Sequence, residues 1–97
     1  MPEGIDLISY PNPFNSGTTI SIDWPEDVPD TEARIEIYNV LGQRIRSFVL
    51  EPGDRPGRID LVWDGTSGNG EAVVSGTYFV LFRAGEFIRS IKVLLLR

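Results

Sequence analysis

The sequence predicts an all-β fold, an immunoglobulin-like or fibronectin-type antiparallel β-sandwich of about seven strands. Apolar and polar residues alternate with a period of two along most of the chain, and no stretch has a convincing helical period. The ten glycines and seven prolines are scattered, as in a chain with many turns between short elements. Turn signals recur every eight to twelve residues or so, which is the spacing of a sandwich. With 97 residues the chain has the size of one domain, residues 1–97.

Four strands are predicted in the first half of the chain, at residues 5–10, 18–24, 33–38 and 43–50. The first strand stops at Pro11-Asn12-Pro13, which is expected to be a fixed, extended turn because proline cannot donate to a β-ladder. An acidic loop bounded by prolines, residues 25–30, separates the second strand from the third. Gly42 allows the positive φ of the tight connection to the fourth strand.

Three strands are predicted in the second half of the chain. The first of them follows a break at residues 53–57 and turns Ile59, Leu61 and Trp63 inward. Residues 64–76 form the longest irregular stretch, and a closing hairpin then runs through residues 77–83 and 87–96. Two facing sheets are expected to bury the aliphatic residues together with Trp24, Trp63, Tyr78, Val80 and Phe82.

Composition excludes several classes of function. The formal net charge of −5 opposes binding to a phosphate backbone, so no nucleic-acid partner is expected. The chain has no cysteine and no histidine, which removes disulfides, thiolate metal sites and the commonest general base. No base is evident that would activate a serine or threonine, so we predict a non-catalytic protein without a cofactor.

Four segments, in this order, resemble the type A C-terminal sorting domain of type IX secretion substrates, also called the Por secretion system sorting domain. They are Tyr10-Pro11-Asn12-Pro13-Phe14-Asn15 with Thr18-Thr19-Ile20, then Ile37-Tyr38-Asn39-Val40-Leu41-Gly42-Gln43, then Trp63-Asp64-Gly65, and finally Ser75-Gly76-Thr77-Tyr78-Phe79 leading to residues 92–97. Ser16 stands where that family often has proline, which should alter only the turn. The third and fourth segments also resemble the immunoglobulin-like domain of flagellar hook-capping proteins.

The resemblance implies a folded address tag. Domains of this family end proteins that cross the outer membrane of Bacteroidetes-type bacteria after passing through the periplasm. The secretion machinery recognises the tag, and a surface peptidase with sortase-like activity commonly removes it from the covalently linked N-terminal cargo. The cargo then stays at the cell surface or is released. The motifs assign recognition to Pro11, Asn12, Pro13, Tyr38, Asn39, Gly42, Gly76, Tyr78, Lys92, Val93, Leu94, Leu95, Leu96 and Arg97.

Neither a signal peptide nor a membrane span is visible in the sequence. If the native protein is exported, we expect this chain to be a piece of a larger protein whose leader lies upstream. The runner-up function is a structural immunoglobulin-like module in a larger surface or flagellar assembly.

The terminal strand breaks the expected alternation. Ile91, Val93 and Leu95 are predicted to face the core, which leaves Leu94 and Leu96 on the other face. An apolar edge strand with open backbone groups templates pairing with another chain, so recognition or self-association by strand addition is one interpretation. The other is that a neighbouring loop covers the segment.

Two further groups of residues have alternative interpretations. The oxygen-bearing residues Asp64, Ser67, Asn69 and Glu71 suggest a calcium loop, but they lack carboxylates at alternate positions, and turns with positive φ at the glycines and Asn69 are the favoured interpretation. The aromatic residues Trp24, Trp63, Tyr78 and Phe79 suggest a sugar-binding platform, but the tryptophans are in phase with aliphatic residues and core packing is favoured.

The remaining charged residues carry no persuasive site. Asp54, Asp60 and Asp64 are interpreted as turn-capping or solvated carboxylates. Six arginines are spread over the strands and are interpreted as solvated, namely Arg44, Arg46, Arg55, Arg58, Arg83 and Arg89.

Overall fold

The computed structural model describes residues 6–24, 32–50 and 57–97. In this part of the chain all regular structure is β, in seven antiparallel strands. The strands are β1 (Asp6–Tyr10), β2 (Thr18–Trp24), β3 (Ala33–Tyr38), β4 (Arg44–Leu50), β5 (Gly57–Trp63), β6 (Gly76–Ala84) and β7 (Phe87–Leu95). The predicted fold class is confirmed, and each predicted strand agrees with an observed one to within one or two residues at its ends. The predicted loop at 25–30 and most of the break at 53–57 lie outside the described residues.

The strands form two sheets. Sheet A has the order β1-β2-β5, and sheet B has the order β4-β3-β6-β7. Strands with alternating sequence bury one side against the facing sheet, which is why each of these strands has an inner and an outer set of residues. Asp60 lies within β5, on the outer face of sheet A, and not in a turn as the sequence suggested.

The core lies between the two sheets. It contains the residues that the alternation placed inward, among them the fully buried Ile20, Ile35 and Val80. Trp24 packs edge-on against Phe82 across the core, with 5.9 Å between the ring centroids. The prediction that the tryptophans, Tyr78, Val80 and Phe82 pack together inside is therefore confirmed.

Glycines take the strained backbone positions of the described turns. Gly42 has φ of 81°, as predicted for the β3–β4 connection. The prediction of a positive φ at Asn69 is wrong, because within the described residues only glycines have positive φ. The neighbouring Gly70 supplies it instead, with φ of 88°.

The two ends of the sandwich carry different connections between strands. At one end β1, β3, β5 and β7 finish and β2, β4 and β6 begin. We call this end the motif pole, and it comprises residues 11–17, 39–43, 64–75 and 96–97. Asp6 lies at the opposite end from Arg97. No helix long and apolar enough to cross a membrane occurs in the described segments.

Candidate recognition surface

All four motif segments meet at the motif pole. Asn12 and Phe14 lie in the β1–β2 connection, Asn39 to Gly42 in the β3–β4 turn, and Asp64 and Gly65 directly after β5. The fourth segment runs into β6 from Gly76 and returns along β7. Segments that are far apart in the sequence therefore form one surface.

The first motif is attached to the edge of the terminal strand. The Asn12 side chain donates to the carbonyl of Lys92 at 2.9 Å and accepts from the amide of Leu94 at 3.0 Å. Phe14 then donates its amide to the carbonyl of Leu94 at 3.0 Å and accepts from the amide of Leu96 at 2.8 Å. Cis peptide bonds precede both Pro11 and Pro13.

These bonds change the interpretation of the terminal strand. The amide and carbonyl of Leu94 and the amide of Leu96 are already hydrogen-bonded to the β1–β2 connection. In this half of the edge, a neighbouring loop therefore covers the strand. Strand addition was suggested as the mode of recognition and self-association. It can use only the part of the β7 edge before Lys92. As predicted, Val93 and Leu95 are fully buried, whereas Leu96 is 51% exposed.

Arg97 is held by the loop of the motif pole. Its guanidinium donates to the carbonyls of Val73 at 2.8 Å and Gly65 at 2.7 Å, and its amide donates to the Ser75 hydroxyl at 2.9 Å. A Cβ at Gly65 would lie 2.6 Å from the Arg97 Nη2 atom and would displace the guanidinium, and the φ of 78° at Gly65 also favours glycine. Arg97, predicted as a recognition residue, thus has a structural role.

The β3–β4 turn is rigid and presents apolar side chains. The Asn39 side chain accepts from the amides of Leu41 and Gln43, both at 3.0 Å, and donates to the Gln43 side chain at 2.8 Å. These bonds close the turn, and they leave Val40 and Leu41 exposed at 68% and 79%.

Val74 lies beside this turn and is 77% exposed. The Tyr78 hydroxyl donates to the Val74 carbonyl at 2.6 Å and so fixes the loop from below. We call Val40, Leu41 and Val74 the apolar tip, and a shallow groove lined by Asn39, Tyr78 and these residues runs between them. The motifs assigned recognition to Asn39, Gly42 and Tyr78, which hold the tip. They did not assign it to Val40, Leu41 or Val74.

Three of the four aromatic residues considered for a sugar-binding platform, Trp24, Trp63 and Tyr78, are packed inside. Trp63 is fully buried and contacts Phe14 and Tyr78, with ring centroids 5.5 and 5.4 Å apart. Its indole donates to the carbonyl of Thr66 at 2.8 Å. Phe79 is exposed on the outer face of sheet B. The preferred interpretation, core packing, is confirmed for Trp24, Trp63 and Tyr78.

The suggested calcium loop is built around hydrogen bonds. The Thr66 hydroxyl and amide donate to Asp64 at 2.5 and 3.2 Å, and Arg46 lies 3.4 Å from the same carboxylate oxygen. The Thr66 hydroxyl, with the charge of Arg46, holds the pKa of Asp64 below its ordinary value. Ser67 bonds to Asn69. Asp64 and Asn69 thus take part in a hydrogen-bonded turn. Across the described segments no group of three or more His, Cys, Asp or Glu side chains comes together.

A buried carboxylate on the outer face of sheet B escaped the sequence analysis. Glu36 accepts from the Tyr38 hydroxyl at 3.0 Å and from Arg44 at 3.1 Å. Arg83 and Arg34 approach the same carboxylate to 3.7 and 3.9 Å. Only the alternation Arg34-Glu36-Tyr38 was visible in the sequence, because the other arginines come from neighbouring strands.

The interpretation of the arginines as merely solvated is accordingly wrong for several of them. Arg44 and Arg83 meet at Glu36. Arg46 donates to the Thr66 hydroxyl at 2.7 Å and lies 4.6 Å from the centre of the Phe48 ring. Arg58 donates to the Tyr10 hydroxyl at 2.7 Å. Arg55 and Asp54 lie outside the described residues.

We expect Glu36→Gln to lower the free energy of unfolding by about 1.5–3 kcal/mol at pH 7, the range for hydrogen bonds to charged groups. Burial raises the pKa of Glu36, but the hydrogen bonds from Tyr38 and Arg44 and the charge of Arg83 outweigh burial and lower the pKa below 4.5. The stabilising effect is therefore complete above pH 4.5 and is lost as the pH falls through the lower folded-state pKa.

Urea unfolding of the natural chain and of Glu36→Gln at several pH values measures this difference. The two curves should converge in acid. A difference that stays constant from pH 7 to about pH 2 would show that the carboxylate charge has no part in it.

Comparison with known proteins identifies a family and a likeness to solved structures. The model of the FlgD Ig-like domain matches residues 9–92 of this chain. Among solved structures, the dimeric latent PorU from Porphyromonas gingivalis is similar to 99% of the chain with a TM-score of 0.74 and 22% identity. The chain corresponds to 10% of the length of that PorU chain. None of the curated proteins matches.

Proposed function

This chain belongs to the family of FlgD Ig-like domains, and on that premise we propose that it is a non-catalytic sorting domain. In this proposal it directs a covalently linked N-terminal cargo through the periplasm and across the outer membrane by type IX secretion. The cargo ends at the cell surface or in the medium. The partners are the secretion machinery and a sortase-like surface peptidase.

The observation that carries the proposal is the convergence of the four motif segments on the motif pole. Asn12 and Leu94 are 82 positions apart in the chain and are hydrogen-bonded there. Asn39, Gly42 and Tyr78 hold the apolar tip in place. Exposed apolar side chains on a rigid turn contribute little to folding, and such patches commonly mark interaction sites.

The position of the motif pole fits an address tag. A cargo joined at the N-terminal side of β1 approaches the opposite end of the sandwich, since Asp6 and Arg97 lie at opposite ends. The motif pole then stays accessible. The likeness to PorU agrees with the resemblance of the motifs to the Por secretion system sorting domains.

A structural immunoglobulin-like module is the second candidate. The observation that favours it is the match to the FlgD Ig-like domain over residues 9–92, because this match covers the fold without requiring a sorting role. In that case the apolar tip would contact a neighbouring subunit of an assembly.

The first experiment fuses residues 1–97 behind an exported reporter in a bacterium that has the type IX system. The sorting proposal expects reporter outside the outer membrane, and loss of that signal in a strain without the secretion system. Reporter that stays in the periplasm while the domain is folded would favour the structural module.

Substitution of Leu41 by serine tests the surface. Because Leu41 is 79% exposed, we expect a change in unfolding free energy within about 0.5 kcal/mol and a reduction of export of the reporter. Val62→Ser, an exposed residue of similar kind on sheet A, serves as the matched control and should export normally. If both variants are exported equally, the apolar tip has no part in recognition.

A further inference from the structure

The outer faces of the two sheets carry opposite charge. On sheet A, Asp6, Asp23 and Asp60 face outward with Arg58. Three negative charges less one positive charge leave −2 on this face. The carboxylates lie in two neighbouring rows of the sheet, so their charges add at short range.

Sheet B has the reverse balance. Among the described residues, its outer face carries Arg34, Arg44, Arg83 and Lys92 around the carboxylate of Glu36. Four positive charges less one negative charge leave +3, on a protein whose formal net charge is −5. The ion pairs at Glu36 therefore leave a surplus of guanidinium groups.

Each face also has two like charges directly opposite one another on adjacent strands. Asp6 pairs with Asp23 across sheet A, and Arg34 pairs with Arg83 across sheet B. Like-charged cross-strand pairs destabilise a sheet. Arg58 opposite Asp23, and Glu36 beside Arg34 and Arg83, relieve part of this repulsion within the chain. A surface of opposite sign placed over each pair would relieve more of it.

Exposed apolar side chains accompany both charged groups. Sheet A exposes Ile8, Tyr10 and Val62 on its outer face, and sheet B exposes Val49, Phe79 and Ile88. Both faces thus combine apolar area with charge, as interfaces do.

We propose that a second copy of this chain docks the outer face of its sheet A on the outer face of sheet B of the first. Both like-charged pairs lie at the end opposite the motif pole. A simple translation from one copy to the next therefore brings Asp6 and Asp23 to the same end of the stacked faces as Arg34 and Arg83. Stacked sheets lie about 10 Å apart, within reach of these long side chains.

The resulting contact is heterologous, because it joins two different surfaces, and it leaves an unoccupied face at each end of the stack. It covers the flat faces of the sandwich and leaves the motif pole accessible. The inference does not depend on the sorting function, and its failure leaves that proposal untouched.

Two substitutions test the contact. Asp6→Lys converts a repulsive cross-strand pair into an attractive one, so this variant should unfold at the same temperature as the natural chain or higher. Arg34→Glu makes the pair with Arg83 attractive but removes the approach of Arg34 to Glu36, so thermal melting checks that this variant is folded under the conditions of the association measurement. Each should abolish self-association. Glu71→Lys, the same change of charge as Asp6→Lys but in the loop of the motif pole, is the matched control and should associate normally.

Sedimentation velocity on the 97-residue chain is the measurement. The natural chain should form dimers and larger species, with an association constant that falls at least about tenfold between 20 and 500 mM salt. A mixture of Asp6→Lys and Arg34→Glu should associate again, because the unchanged faces are complementary and the reversed charges at positions 6 and 34 also attract one another. In that mixture one variant retains an intact sheet B face and the other retains an intact sheet A face.

Three results would overturn the proposal. The first is a natural chain that stays monomeric at low salt up to about 1 mM. The second is association that persists in either single variant, and the third is a mixture of the variants that remains monomeric. A contact between two copies of the same face persists in the variant that leaves that face unchanged, so the single variants separate the two kinds of symmetry.

Discussion

Removal of residues 90–97 is expected to abolish the cooperative unfolding transition of the chain. The deletion takes away the fully buried Val93 and Leu95, and each large aliphatic side chain contributes about 1.5–3 kcal/mol by burial. It also removes the backbone partners of Asn12 and Phe14. The combined loss is comparable with the whole stability of a small domain, about 5–15 kcal/mol.

Circular dichroism and thermal melting of the truncated chain check this result. The consequence for export is direct, because an unfolded truncation fails to be exported whether or not the last strand is recognised. Leu96→Ser is the matched variant, since half of that side chain is exposed and the backbone bond to Phe14 remains. It should stay folded, and its export then reports on recognition alone. A cooperative transition in the truncated chain would contradict the structural role assigned to β7.

Replacement of Trp63 by alanine is expected to cost about 3–5 kcal/mol of unfolding free energy, the range for truncating a large buried aromatic residue. Trp63 joins three of the four motif segments in the core, because its ring contacts Phe14 and Tyr78. Its loss also leaves the carbonyl of Thr66 without the indole donor.

Urea denaturation measures this loss, and the neighbouring Val62→Ala is the control. Val62 points out of sheet A and is exposed, so its truncation should change the stability by no more than about 0.5 kcal/mol. If Trp63→Ala and Val62→Ala lower the unfolding free energy equally, the packing of the motif segments around Trp63 does not stabilise the fold.

The sequence by itself determined the strands, their inner faces and most of the core. Ile20 and Ile35 are buried as predicted, because the period of two is a property of each strand's own backbone and is written in consecutive residues. The positive φ of Gly42 was predictable for the same reason, since a tight turn depends on its own few residues. Asn69 was a wrong prediction because the adjacent Gly70 meets that need at no steric cost.

Only the tertiary structure decided which segments meet. Nothing near Asn12 in the chain shows that its amide bonds to residues of the last strand. Glu36 similarly acquires Arg44 and Arg83 from the two strands beside β3, and Arg97 reaches the loop after β5. An asparagine or an arginine has the same donors and acceptors wherever it lies, and its partner is set by strand order and register. Those depend on how the two apolar faces pack together over the whole chain, which no local pattern of residues records.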